Sequence, residues 1–244
     1  MRTIILVGTL IALLGSAVVH AQWFGRRYQI EQNDPPATEL IAARWRFSTN
    51  GRIRHRGWSH NYPSSDRNLN QFISDATRID VDPMSYRIVE LGSEEIFDHP
   101  FTYVSEPGEM ELTEQEVDNL REYVRRGGFI LIDDFDGSVQ LGQLQSQMRR
   151  AFPERNLVPL TIEHPIFDLV FDVEDLKGMA PYVPGGDPQY LGFMNDRNHV
   201  AIVACYNNDL ANFWDWIDEA RYPLRPATDA FRMGINFVEY AMTH

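Results

Sequence analysis

Residues 113–134 read Thr-Glu-Gln-Glu-Val-Asp-Asn-Leu-Arg-Glu-Tyr-Val-Arg-Arg-Gly-Gly-Phe-Ile-Leu-Ile-Asp-Asp. Thr113 and Glu116 have the spacing of a capping box, in which each satisfies a free backbone amide of the other, and Leu112 is placed to staple onto Val117. Val117, Leu120 and Val124 then recur at the helical period. Glutamates open this helix, Arg125 and Arg126 close it, and Gly127 supplies the left-handed stop. The apolar run Phe129-Ile130-Leu131-Ile132 follows at once, short and unbroken, as in a strand buried on both faces. Helix, glycine stop and buried strand make half of a parallel crossover unit.

The same alternation extends in both directions. Toward the N-terminus, Ile41–Phe47 reads as a first strand and Asp66–Thr77 as a helix with Leu69, Phe72, Ile73 and Ala76 on one face. Tyr86–Leu91 and Phe101–Val104 read as two further strands. Toward the C-terminus, Leu141, Leu144 and Met148 mark a helix and His199–Ala204 a buried strand. Phe231, Ile235, Val238 and Met242 mark a last helix opening at Thr228. Between Pro153 and Asn198 the pattern gives way to proline- and glycine-rich loops. Alternation of this kind predicts an α/β fold, a doubly wound, mostly parallel sheet with helices on both faces.

Residues 1–21 predict a secretory signal peptide. A basic start at Arg2 precedes an apolar run from Ile4 to Val19, and Val19-His20-Ala21 carries small residues where cleavage requires them, so the cut falls after Ala21. A retained anchor is the competing reading, for a run at the short limit of the roughly 20 residues a span needs. Residues 22–38, with Asp34-Pro35-Pro36, predict a polar linker, and 39–244 a single α/β domain. The net charge of −13 disfavours nucleic acid and anionic membrane surfaces as partners. Cys205 is the only cysteine, so neither an intramolecular disulfide nor a cysteine-cluster metal site is expected.

Ligands of open parallel sheets bind beyond the carboxyl ends of the strands. The segments leaving those ends bring Trp58, His60 and Asn61, then Glu106, then Asp133, Asp134 and Asp136, then Asn207, Asn208 and Asp209. His164, from the irregular stretch, could fold over the same edge. Each has a plainer reading: Asp133 and Asp134 as helix caps, His60 and His164 as hydrogen-bonded structural residues, Asn207-Asn208-Asp209 as a turn, Trp214 and Trp216 as packing. Their convergence argues for a site. Asp133, Asp134, Asp136 and His164 have the ligand chemistry for a divalent metal but no defining spacing, so no cofactor is predicted. No Gly-x-Ser-x-Gly elbow or phosphate loop is present, and Cys205 between bulky neighbours reads as a buried small residue.

Gly57-Trp58-Ser59-His60-Asn61-Tyr62-Pro63, Leu120-Arg121-Glu122-Tyr123, Gly127-Gly128-Phe129, Asp133-Asp134-Phe135, His164-Pro165-Ile166-Phe167 and Tyr206-Asn207-Asn208-Asp209 together resemble a known family, the domain of unknown function numbered four-one-five-nine. The resemblance runs from about Trp45 to the C-terminus. It implies a fold similar to class I glutamine amidotransferase-like, flavodoxin-like domains and supplies no catalytic residues. Amidotransferase relatives use a cysteine at a strand-to-helix elbow; Asp133-Asp134 stand at the corresponding strand end, so glutamine hydrolysis is not expected. Residues and resemblance together predict an exported, non-catalytic binding or assembly module taking an envelope protein partner or a small polar ligand. The competing prediction is a hydrolase, with or without metal assistance, with Asp133 or Asp134 as base or ligand and His60 or His164 as acid.

Overall fold

The computed structural model describes residues 32–49 and 57–244, and the part from Asn33 onward is one compact unit. Its strands are β1 (Ala42–Arg46), β2 (Tyr86–Glu90), β3 (Phe101–Ser105), β4 (Phe129–Phe135), β5 (Val158–Pro159), β6 (Gln189–Met194) and β7 (Val200–Tyr206). Its helices are α1 (Ser64–Ala76), α2 (Glu114–Arg126), α3 (Gly137–Ala151), α4 (Leu210–Asp215) and α5 (Leu224–Thr243).

The stretch that decides the fold behaves as its sequence predicts. Thr113 Oγ1 accepts the Glu116 amide at 3.2 Å and Glu116 Oε2 accepts the Thr113 amide at 2.7 Å, a reciprocal capping box. Gly127 ends α2 with φ of 98°, which a side chain would resist. Gly128 is needed for a different reason: a Cβ there would overlap the Tyr123 ring, whose hydroxyl donates to His99 O at 2.8 Å. The helix can therefore turn directly into β4.

The sheet order is β2-β1-β3-β4-β7-β6-β5. The first five strands in that order are parallel, while β6 adds to β7 antiparallel and β5 in turn adds to β6 antiparallel. After β1 the chain moves outward to β2, then returns to the other side of β1 as β3. That reversal is a topological switch point, and the parallel order is that of flavodoxin-like doubly wound sheets. Side chains alternate along β4. Leu131 joins Tyr103, Val203, Leu69 and Ile73 of α1, Trp214 of α4 and Phe231 of α5 in one core layer. Ile130 and Ile132 meet Val104, Trp45, Leu120 of α2, and Leu144 and Met148 of α3 in the other. Each such buried aliphatic or aromatic chain contributes roughly 1.5–3 kcal/mol.

The irregular stretch holds two strands that the sequence pattern does not announce, β5 and β6. In β6 the apolar run is interrupted by Gly192, where a Cβ would lie 2.7 Å from Leu160 Cδ2. The last helix starts at Leu224 rather than Thr228, because Pro226 in a first turn gives up no intrahelical donor. Of the expected linker, residues 32–38 form neither helix nor strand, and Asn33 Nδ2 ties this segment to Tyr86 O at 2.9 Å. The expected signal peptide, residues 1–21, and residues 22–31 of the expected linker lie outside the described residues. Among the described residues no helix is long and apolar enough to cross a membrane.

Candidate functional site

The carboxyl ends of β1, β3, β4 and β7 come together at the switch point. Arg44 is the first unexpected participant. It lies on β1 with 1 % exposure, its Nε and Nη2 on the two oxygens of Asp66 at 3.2 and 2.7 Å. Its Nη1 donates to Trp58 O at 3.3 Å and His60 O at 3.0 Å, so one buried guanidinium holds the loop that carries His60. The guanidinium carbon also sits 4.3 Å from the centre of the Tyr103 ring. Tyr103, from β3, donates its hydroxyl to Asp133 Oδ2 at 2.9 Å, and the Ala211 amide donates to the same oxygen at 3.0 Å.

Asp133 and Asp134 belong to β4 rather than to the loop beyond it. The register with β7 shifts between Ile132 and Phe135, and Asp134 takes up the shift with a left-handed φ of 61°. Bulges of this kind re-aim a side chain. Asp134 Oδ2 meets His60 Nδ1 at 2.6 Å and accepts from Ser105 Oγ at 3.1 Å. Asn61, Glu106 and Asn207 likewise have φ of 59°, 49° and 56°. Left-handed non-glycine backbone costs of order 1–3 kcal/mol per residue and gathers where a site demands it, although asparagine tolerates it better than glutamate or aspartate.

Asp209, 5 % exposed, closes the cluster. It caps α4, Oδ1 accepting the Asn212 amide at 3.0 Å, and its other oxygen accepts from Asn212 Nδ2. Burial drives its pKa well above the carboxylate range, with the charges of Asp134 and Asp133 adding to the effect. Burial also pushes Asp133 up to about 6, against the Ala211 amide and the Tyr103 hydroxyl, which favour its ionised form. The hydrogen bond to Asp134 raises His60, outweighing its partial burial. His60, Asp134 and Asp209 each present a ligand atom within 4.8 Å of the others.

Other expected residues have supporting places. Trp58 is buried and holds the loop through its carbonyl. Asn61 Nδ2 donates to Asn212 Oδ1 at 3.0 Å and Asp215 Oδ2 at 2.9 Å, pinning the same loop to α4. The Glu106 side chain packs against Gly57, where no Cβ would fit, and its amide donates to Asp133 O at 3.2 Å. Asn207 Oδ1 accepts the Gly137 amide at 3.2 Å, and Asn208 Nδ2 donates to Tyr190 OH at 2.8 Å. Asp136 stands at the start of α3 without a side-chain cap bond.

His164 is not brought to this edge. Its Nδ1 accepts the Ile166 amide at 3.2 Å and its ring lies 6.4 Å from that of Tyr240. The Tyr240 hydroxyl accepts from the amide of Val200, the first residue of β7, so His164 sits toward the amino ends of the strands. Asp133, Asp134, Asp136 and His164, whose side chains have the ligand chemistry for a metal, are therefore not brought together. The part of the irregular stretch that does reach this edge is residues 185–187: Asn207 Nδ2 donates to Asp187 O at 3.3 Å and Gly185 abuts the Asn207 side chain. Arg44, Tyr103 and Asn212 were absent from the sequence expectation. Only Arg44 offered a signal, a charge inside a strand otherwise suited to burial.

A cavity of about 530 Å³ opens elsewhere, between the C-terminal ends of α2 and α3 and the turn after β6. Its Arg121 serves the helix end, Nε donating to Ala151 O at 2.9 Å, and its Arg155 pairs with Asp196. The acid–histidine chemistry is at the carboxyl edge.

Fold and edge define a doubly wound α/β domain with an acidic, histidine-bearing constellation at its switch point. The chain belongs to the family described as Domain of unknown function (DUF4159), whose family model matches residues 47–242. No curated protein matches the chain.

Proposed function

We propose that this is a non-catalytic binding module, exported to the cell envelope after cleavage at Ala21, that takes a cationic or hydrogen-bond-donating polar group at the carboxyl edge of its sheet. One observation carries the reading: Asp133, Asp134 and Asp209 are gathered at one edge, and the buried cation beside them, Arg44, is committed to Asp66. A ligand that brings positive charge or donors relieves what the fold leaves in excess. An amidotransferase-like ancestry fits the strand order and adds no activity. β4 ends in Asp133-Asp134 where that chemistry needs a cysteine, and burial pushes the Cys205 thiol far from the thiolate a nucleophile requires.

The test is thermal unfolding of the full-length chain with lysine- and arginine-bearing peptides and diamines, against acidic peptides of equal length. Stabilisation by the cationic set, lost in Asp209→Asn, supports the reading; an equal response to both sets refutes it. N-terminal sequencing of the exported product should begin at Gln22.

A second reading, hydrolysis, has one specific observation in its favour. His60 is 45 % exposed at its side chain and is paired through Nδ1 to Asp134, the arrangement that orients an imidazole as a general base. Turnover of chromogenic esters or phosphoesters, abolished in Asp134→Asn, would place it ahead.

A further inference from the structure

Resting on the same site, we infer that His60, Asp134 and Asp209 form a mononuclear site for a divalent cation of the zinc or manganese class, with Asp133 as a buried counter-charge behind it. The donor set is the first argument. One imidazole nitrogen and two carboxylate oxygens lie within 4.8 Å of one another. A mixed nitrogen–oxygen set suits zinc or manganese, whereas calcium and magnesium favour oxygen alone. Ligand distances of about 2.0–2.2 Å require donors some 3 Å apart. Asp134 and His60 are already closer than that, and the His60 side chain, 45 % exposed on its anchored loop, has room to adjust.

Asp133 supplies the second, independent argument. Its Oδ1 is fully buried and makes no hydrogen bond among the described residues, although Oδ2 has two donors. A buried polar atom left in this state costs roughly 1–3 kcal/mol. Asp133 adjoins Asp134 in the chain and acts electrostatically on Asp209, so a cation held by those two carboxylates offsets it.

The third argument is the support around each ligand. Asn212 fixes both oxygens of Asp209, Ser105 orients Asp134, and Arg44 anchors the His60 carbonyl. Ligands held by such outer contacts lose little freedom on binding metal. Three protein donors leave coordination positions open, which water or another lone-pair donor would fill.

Equilibrium dialysis and titration calorimetry of the full-length chain, stripped with chelator, test the site with Zn²⁺, Mn²⁺, Mg²⁺ and Ca²⁺. One Zn²⁺ or Mn²⁺ per chain is expected, bound at least about tenfold more tightly than Mg²⁺ or Ca²⁺, with His60→Ala and Asp209→Asn each weakening it at least about tenfold. His164→Ala, away from the site, should leave binding unchanged. Asn keeps the capping capacity of Asp209, and His60 is exposed, so His60→Ala decides if Asp209→Asn fails to fold. Binding that is absent, or indifferent to both substitutions, overturns the metal site. Should cationic peptides still bind in that case, the metal site falls and the binding module stands.

Discussion

Replacing Asp133 by Asn should stabilise the protein above pH 6, although the residue is fully buried and hydrogen-bonded. Asn keeps one oxygen for Tyr103 and the Ala211 amide and removes a charge that burial opposes. The sign follows from linkage. A carboxyl whose folded pKa is raised binds more protons folded than unfolded, so stability is greatest below the ordinary value and falls as pH rises through the folded one. For Asp133 that window runs from 3.8 to about 6. At 1.36 kcal/mol per pH unit the gap sets a ceiling of about 3 kcal/mol, and asparagine's loss of solvation reduces it. Urea unfolding of wild type and Asp133→Asn at pH 4.5 and pH 7.5, with chelator throughout, measures the effect. The variant should gain on wild type at pH 7.5, and most of that gain should be gone at pH 4.5. A variant less stable than wild type at pH 7.5, with the wild-type pH slope retained, would refute the reasoning.

Arg44→Leu leaves Asp66 buried without its partner and should cost about 3–5 kcal/mol by urea unfolding, with part recovered in the Arg44→Leu, Asp66→Leu double variant. NMR titration of His60 should give a pKa above the ordinary 6.5, and Asp134→Asn should lower it by removing the hydrogen bond that raises it. Thr113→Ala, losing one half of the capping box, should cost about 1 kcal/mol in the same unfolding assay.

The parallel part of the fold was legible because its signals are local. Thr113, Glu116, Gly127 and the run from Phe129 each state their role within a few residues, and burial on both faces writes β4 and β7 as unbroken apolar stretches. Strands β5 and β6 were not legible. Gly192 is there for Leu160, more than thirty residues away, and β5 is only two residues long. The site divides in the same way. Residues at strand ends follow from topology, so His60, Asp134 and Asp209 could be nominated together. Which histidine joins them depends on where the long irregular stretch turns, and His164 was spent on capping its own short helix. Arg44 and Tyr103 work from within the strands, where sequence patterns register burial and not hydrogen bonds.

The two margins of the sheet share one further property. On the β5 side the last strand is Val158–Pro159, and proline offers no N–H to a newcomer. On the β2 side Asn33 already occupies the Tyr86 carbonyl, and Arg87 and Glu90 stand in the strand with ionic partners Glu95 and Arg46. Bare strand margins invite other chains to add on, as binding or as aggregation, and both margins here are blunted by familiar means. Among the described residues, neither margin offers a long bare strand, so a partner is steered toward side chains at the loop-bearing ends of the strands.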